Sequence, residues 1–204
     1  MKIILVRHGT TRGLLEKRFQ GKMDFPLTCQ GLREAQLLAE KLKEFKLHRI
    51  YSSPLRRALD TAAPIAERQG LPVITLSFLR EFGWGVLEGR SWNDIRSEFP
   101  SLYRALKKNF SDTPVPGRES YRHFRGRVLS TQRFLVKTTP AEGTSLLVSH
   151  GRFINAFLVI FFGLSFGNSW PFPVSPASVS IVEREQSGNR RLLLFNDTDH
   201  LLRG

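Results

Sequence analysis

The run Ile3-Ile4-Leu5-Val6-Arg7-His8-Gly9 decides how the chain is read. Four apolar residues, three of them β-branched, make a buried strand. The strand then stops on an arginine, a histidine and a glycine. In an open α/β sheet, ligands bind just beyond the carboxyl ends of the strands. His8 is therefore a catalytic candidate, with Arg7 beside it.

The same ending recurs at Ser145-Leu146-Leu147-Val148-Ser149-His150-Gly151. A helical stretch follows each run, after a loop in the first case. If the two strands are parallel neighbours, they lie about 4.8 Å apart. Both imidazoles then share one pocket, and converging titratable groups are what an active site requires. The competing explanation is that core packing alone produced both endings.

The 204 residues are enough for a single domain, 1–204, with a substantial core. With 31 Lys and Arg against 18 Asp and Glu, the net charge is +13. That favours anionic partners, whether phosphorylated metabolites, nucleic acid or an anionic surface, against the simpler reading of a basic, soluble surface. Arginine suits bidentate phosphate contact better than lysine. The lone cysteine, Cys29, excludes an intrachain disulfide, and no Cys/His cluster has zinc-site spacing. The first apolar run is too short for a signal peptide. The apolar stretch 153–166 is too short to span a bilayer. A cytoplasmic protein with no membrane association is expected.

Further along, residues 10–26 lack a period and read as a loop over the site. Thr28 can cap a helix bearing Leu32, Ala35, Leu38, Ala39, Leu42 and Phe45, whose Glu and Lys face solvent. A short strand, Arg49-Ile50-Tyr51, leads into Ser53 as N-cap and Pro54 as first helical residue. Arg56 and Arg57 then oppose the helix dipole, unless an anion sits at that terminus. Gly70 ends this helix. Residues 72–76 make a third strand. The Gly- and aromatic-rich stretch 79–89 reads as a loop. Residues 91–99 suggest a short helix closed by Pro100. A long helix from about Arg118 carries Phe124, Val128, Thr131 and Leu135 on one face. A buried helix follows His150, then a Trp- and Pro-containing loop at 167–173. Residues 179–183 and 191–195 suggest a hairpin. The expected fold is a three-layer α/β/α sandwich, with a mostly parallel central sheet and helices on both faces.

Strand and helix ends thus deliver His8 with Arg7, Arg57 and His150. Two imidazoles and two guanidiniums describe a phosphate pocket. A neutral histidine can attack phosphorus and carry the group as phosphohistidine. The guanidiniums bind the equatorial oxygens and supply positive charge without a metal. A leaving alkoxide still needs a proton. Glu81 and Glu88 are both candidates for that role.

These residues resemble the histidine phosphatase superfamily, in its phosphoglycerate mutase-like branch. The likeness rests on Arg7-His8-Gly9, Phe19-Gln20-Gly21 with Pro26-Leu27-Thr28, Ser52-Ser53-Pro54-Leu55-Arg56-Arg57-Ala58, Leu79-Arg80-Glu81 with Glu88-Gly89, and Ser149-His150-Gly151, in the family's order. The resemblance implies His8 as nucleophile and Glu81 as proton donor. It implies that Arg7, Arg57 and His150 bind the phosphoryl group. It also implies that Gly9, Thr11, Gln20, Gly21 and Gly151 line the substrate, with neither metal nor cofactor. Two departures stand out. Thr10-Thr11 follows the first signature where Glu/Gln-Thr is usual, and Leu14 stands where the family often has a pocket asparagine.

The span between Glu81 and His150 is short for a mutase, and the segment from Pro116 to Val128 is similar to one in α-ribazole and broad-specificity phosphatases. The resemblance therefore implies a metal-independent phosphomonoesterase acting on a small phosphorylated metabolite. Phe82, Trp84, Trp170 and Phe172 suit an apolar or ring-bearing leaving group, or else are loop anchors. The alternatives are a phosphoglycerate mutase and a non-enzymatic basic protein on the same fold. No nucleic-acid-binding motif is present, and the sequence leaves room for a homodimer. His48, His123 and His200 read as surface or structural.

Overall fold

The computed structural model describes residues 1–165 and 171–203. In chain order the elements are β1 (Lys2–Arg7), α1 (Arg12–Leu15), α2 (Cys29–Leu42), β2 (Arg49–Ser52), α3 (Arg56–Gln69), β3 (Val73–Thr75), α4 (Trp92–Glu98), α5 (Pro100–Lys108), α6 (Tyr121–Thr138), β4 (Thr144–Ser149), α7 (Gly151–Phe161), β5 (Val179–Arg184) and β6 (Arg190–Asp197). The strands form one sheet in the order β3-β2-β4-β1-β5-β6. The first four strands in that order are mutually parallel. β5 and β6 add an antiparallel edge.

The continuous apolar run of β1 is explained by burial on both faces. Ile3 and Leu5 pack on one side with Phe124 and Val128 of α6 and Phe153 and Phe157 of α7. Ile4 and Val6 pack on the other with Leu38 and Leu42 of α2 and Ala58 and Ile65 of α3. This is the expected α/β/α sandwich. β1 and β4 are neighbours, with Arg7 opposite Ser149 in register. The two His-Gly endings therefore emerge side by side at one edge of the sheet.

Several expectations need correction. Residues 12–15 are not loop but the short helix α1, capped by the Thr11 hydroxyl. Along α2, Leu32 is exposed and Glu34 is buried, the reverse of the sequence reading. Both lie at the margins of the apolar stripe, where period alone does not decide. Helix α3 begins at Arg56, with Leu55 as N-cap, so Ser53 and Pro54 lie outside it. Pro100 does not close a helix; it opens α5. The stretch 79–89 is irregular, but Leu79, Phe82, Trp84 and Leu87 are buried in the core. Elsewhere the local signals held: Thr28 caps α2, and Gly70 ends α3 in the left-handed region at φ 61°. The Trp170 end of the 167–173 loop lies outside the described residues. Among the described residues, no helix is long and apolar enough to cross a membrane.

Candidate active site

His8 follows directly on β1 and His150 on β4. Their ring centroids lie 5.2 Å apart, and both residues are buried. The Nδ1 of His8 lies 2.8 Å from the carbonyl oxygen of Gly9. A carbonyl only accepts, so Nδ1 carries the proton and the lone pair of the neutral ring sits on Nε2. Burial holds the His8 pKa well below the usual histidine range, reinforced by the cations Arg57 and Arg7 and opposed by the Gly9 bond. Burial and the two cations thus favour the neutral His8 ring.

His150 is held low in the same way, by burial first and then by Arg57. Its Nε2 lies 2.8 Å from the Ser53 hydroxyl. That hydroxyl already accepts the Leu55 N–H at 3.3 Å. Its own proton is free to turn to His150 Nε2, and in that arrangement the ring proton sits on Nδ1. Nδ1 is buried and meets no protein partner among the described residues. Ser53 is a residue the sequence reading assigned to a helix cap; here it orients an imidazole.

Arg57 lies in the first turn of α3, with its side chain completely buried. Its Nη1 donates to the Met23 carbonyl at 2.7 Å and its Nη2 to that of Gly21 at 2.8 Å. Nε remains without a protein partner. Burial lowers its pKa to about 10, against the opposing charges of Glu81 and Asp24. The anion expected at the α3 terminus is Asp24, which accepts the Arg56 N–H at 3.0 Å. Arg56 itself is exposed and pairs with Asp60. Arg7 donates from Nη1 to the Val174 carbonyl at 2.5 Å, and its Nε also lacks a protein partner. Three buried donors, on Arg7, Arg57 and His150, thus stand unspent around His8. An oxyanion is the kind of acceptor that such guanidinium and imidazole N–H groups take.

The two glutamates separate on geometry. Glu88 Oε1 accepts the N–H groups of Lys22 and Trp84 at 3.1 and 2.9 Å, and so ties two loops together. Glu81 lines a surface cleft of about 380 Å³ with Arg7, Gly151, Arg152, Asn155, Phe172 and Val174. Its carboxylate is fixed by the N–H groups of Phe82 at 2.8 Å and Arg152 at 3.3 Å.

The expected substrate-lining residues fare less evenly. Gly151 lines the cleft, its Cα facing the Arg7 guanidinium. The Gly9 N–H is spent on the Thr61 hydroxyl at 3.0 Å. Thr11 is fully buried, capping α1 and donating to Gln20 Oε1 at 2.8 Å. Gln20 is buried, and the Gly21 carbonyl serves Arg57. These four are engaged in hydrogen bonds among protein groups, and none of them lines the cleft beside Glu81. Phe82 and Trp84 are core anchors, whereas Phe172 borders the cleft. Among the described residues, no group of three or more His, Cys, Asp or Glu is placed to hold a metal ion. His48 accepts the Thr144 N–H, His123 contacts Glu119, and His200 is buried near Asp197.

Comparison with known proteins gives the family and the fold. Residues 3–198 match the model of the histidine phosphatase superfamily, branch 1. A curated relative from Escherichia coli O1:K1, named "Probable phosphoglycerate mutase GpmB", is 33% identical over 187 residues, covering 92% of this chain and 86% of its own. The α-ribazole phosphatase of Shigella flexneri superposes with a TM-score of 0.88 at 26% identity, covering 97% of this chain and 96% of that one. A mycobacterial glucosyl-3-phosphoglycerate phosphatase, solved with VO3, gives 0.83 at 30% identity, covering 97% and 99%. The chain belongs to the histidine phosphatase superfamily, branch 1.

Proposed function

We propose that the protein is a phosphatase that hydrolyses small phosphomonoesters through a phosphohistidine on His8, without a metal ion. The observation that carries this reading is the 2.8 Å contact of His8 Nδ1 with the Gly9 carbonyl, which assigns the ring proton to Nδ1. With Nδ1–H committed to Gly9, Nε2 presents a lone pair to a site rimmed by unspent cationic and imidazole donors.

Nε2 attacks phosphorus, forming the P–N bond as the P–O bond to the leaving group breaks. Glu81, as the carboxylic acid, gives its proton to the departing oxygen. Arg7, Arg57 and the Nδ1–H of His150 hold the equatorial oxygens, where the transferring charge is spread. Water then attacks the phosphohistidine, and Glu81, now a carboxylate, takes its proton. The P–N bond breaks, releasing inorganic phosphate and restoring His8 and the protonated Glu81.

Rapid-quench trapping with a labelled phosphomonoester tests this. An acid-labile, base-stable phosphoenzyme, absent in His8→Ala, is expected. Steady turnover by His8→Ala would overturn the reading.

The 33% identity to a chain named as a mutase favours a second reading, in which the phosphoryl group passes to another hydroxyl instead of water. The open cleft beside Arg7 and Glu81, and the phosphatase names of the structural neighbours, support hydrolysis. Isomerisation of 3-phosphoglycerate outrunning phosphate release would reverse the choice.

A further inference from the structure

We propose that Arg127, held in place by Glu119, is a positioning residue that fixes the Glu81 loop, so that proton delivery to the leaving group depends on it. The proposal rests on Glu81 being the proton donor.

Arg127 lies on α6, close enough for its charge to act on His150. Its side chain is only 12% exposed, and that of Glu119 is 4% exposed. A guanidinium has five N–H groups, and all of them are engaged. Nε donates to Glu119 Oε1 at 2.8 Å, and Nη2 donates to Glu119 Oε2 at 2.8 Å. Nη2 also donates to the Glu81 carbonyl at 2.9 Å. Nη1 donates to the carbonyls of Phe78 and Arg80 at 3.0 and 2.5 Å. The one carbonyl missing from this run, that of Leu79, accepts the Ser149 hydroxyl at 2.8 Å. Four consecutive carbonyls leading to Glu81 are thus pinned between α6 and the end of β4.

The far side of the loop is held by the same carboxylate. Glu119 Oε2 accepts the Gly83 N–H at 3.2 Å, and the Glu119 N–H donates to the Gly83 carbonyl at 2.9 Å. Glu81 is therefore clamped before and after its own position by a single ion pair. The Arg127 guanidinium also lies 4.6 Å above the Phe124 ring, which fixes its plane. An irregular segment has no ladder to set its register, so these bonds supply it. A lysine at 127 has three donors and no planar fork, and so cannot serve all these acceptors.

Leaving-group dependence separates positioning of an acid from general loss of structure. Phenyl phosphate and p-nitrophenyl phosphate have similar shape, but phenolate is the more basic leaving group and needs the proton more. kcat/KM for both is measured in the wild type, Arg127→Lys, Glu119→Gln and Glu81→Gln, with thermal melting alongside. Arg127→Lys is expected to lose on the order of tenfold more on phenyl phosphate than on p-nitrophenyl phosphate, with Glu81→Gln showing the same selectivity. Should Arg127→Lys fail to fold, Glu119→Gln carries the comparison. An equal loss on both substrates, or no loss on either, would overturn the proposal while Glu81→Gln remains selective. If Glu81→Gln itself loses both equally, the fault lies with Glu81 as the acid, and the proposal falls with it.

Discussion

Glu34 accepts both the backbone N–H and the hydroxyl of Thr10, at 2.7 and 2.8 Å, two residues beyond His8. A third donor, Gln30 Nε2, reaches the same carboxylate at 2.8 Å. This buried glutamate thus fixes the turn on which the candidate nucleophile sits. The turn has little room to move, since Gly31 lets α2 approach so closely that a Cβ there would lie 2.1 Å from the Thr10 carbonyl oxygen. Glu34→Ala leaves a buried N–H unpaired, which costs about 1–3 kcal/mol. For a chain of this size that is a fall of roughly 2–12 °C in melting temperature. Glu34→Gln keeps one acceptor oxygen for the Thr10 N–H, while its amide can donate to the Thr10 hydroxyl, and should lose less. Calorimetry of the two variants checks this; equal melting of Glu34→Ala and wild type would refute the anchoring role.

Glu81 and Glu88 should part company on substitution. Glu81→Gln removes the transferable proton and is expected to lower kcat/KM on an alkyl phosphate by about 10²–10⁴. Glu88→Gln weakens the link between the Lys22 and Trp84 backbones, so its effect should fall on stability, with turnover largely kept. Steady-state kinetics beside thermal melting distinguishes them. A larger loss of turnover in Glu88→Gln than in Glu81→Gln would reverse the assignment.

Arg57 is expected to serve two ends. Its Nη groups hold the Gly21 and Met23 carbonyls, and its buried Nε has no protein partner among the described residues. Lysine cannot satisfy two carbonyls and an oxyanion with the same planar geometry. Arg57→Lys should lower kcat/KM by about 10²–10³, comparable to loss of one donor at a developing charge. It should also speed proteolysis within residues 20–26. Unchanged kinetics in this variant would remove Arg57 from the phosphoryl site.

What the sequence made legible was local or periodic. The apolar run of β1, ended by Arg7-His8-Gly9, needs burial on both faces, and that alone implies a parallel central strand. The Phe124, Val128, Thr131 and Leu135 spacing identified the buried face of α6 for the same reason. Glu34 was misread because a charge at the edge of an amphipathic stripe can turn to water or to a partner. Its partner, Thr10, comes from a different element. Ser53 looked like a cap because Ser-Pro starts helices; its role depends on β4 lying next to β2. The residues alone left Glu81 and Glu88 open, and only the family resemblance chose between them; in the fold each carboxylate accepts two backbone N–H groups, and Glu81 is the one that borders the cleft beside Arg7. The Arg127 clamp joins segments about 46 positions apart, and no local pattern encodes that.

The two buried imidazoles make stability depend on pH in a defined direction. Burial holds both His8 and His150 below the usual value of 6.5 in the folded protein. The unfolded chain therefore binds more protons in the interval below about 6.5, and stability rises with pH there. Their contribution is present in full above 6.5 and is lost as pH falls toward the folded values. The melting temperature should drop between pH 7 and pH 5, above the range in which most carboxylates titrate. His8→Asn with His150→Asn should flatten that slope. A residue should remain from His200, which burial also lowers, outside the site. Inorganic phosphate should reduce the wild-type drop, because an oxyanion among Arg7, Arg57 and the imidazoles stabilises the protonated rings. Melting curves across this range decide the matter. An undiminished slope in the double variant would mean that other groups carry the acid sensitivity, and that the two histidines are not held neutral by their surroundings.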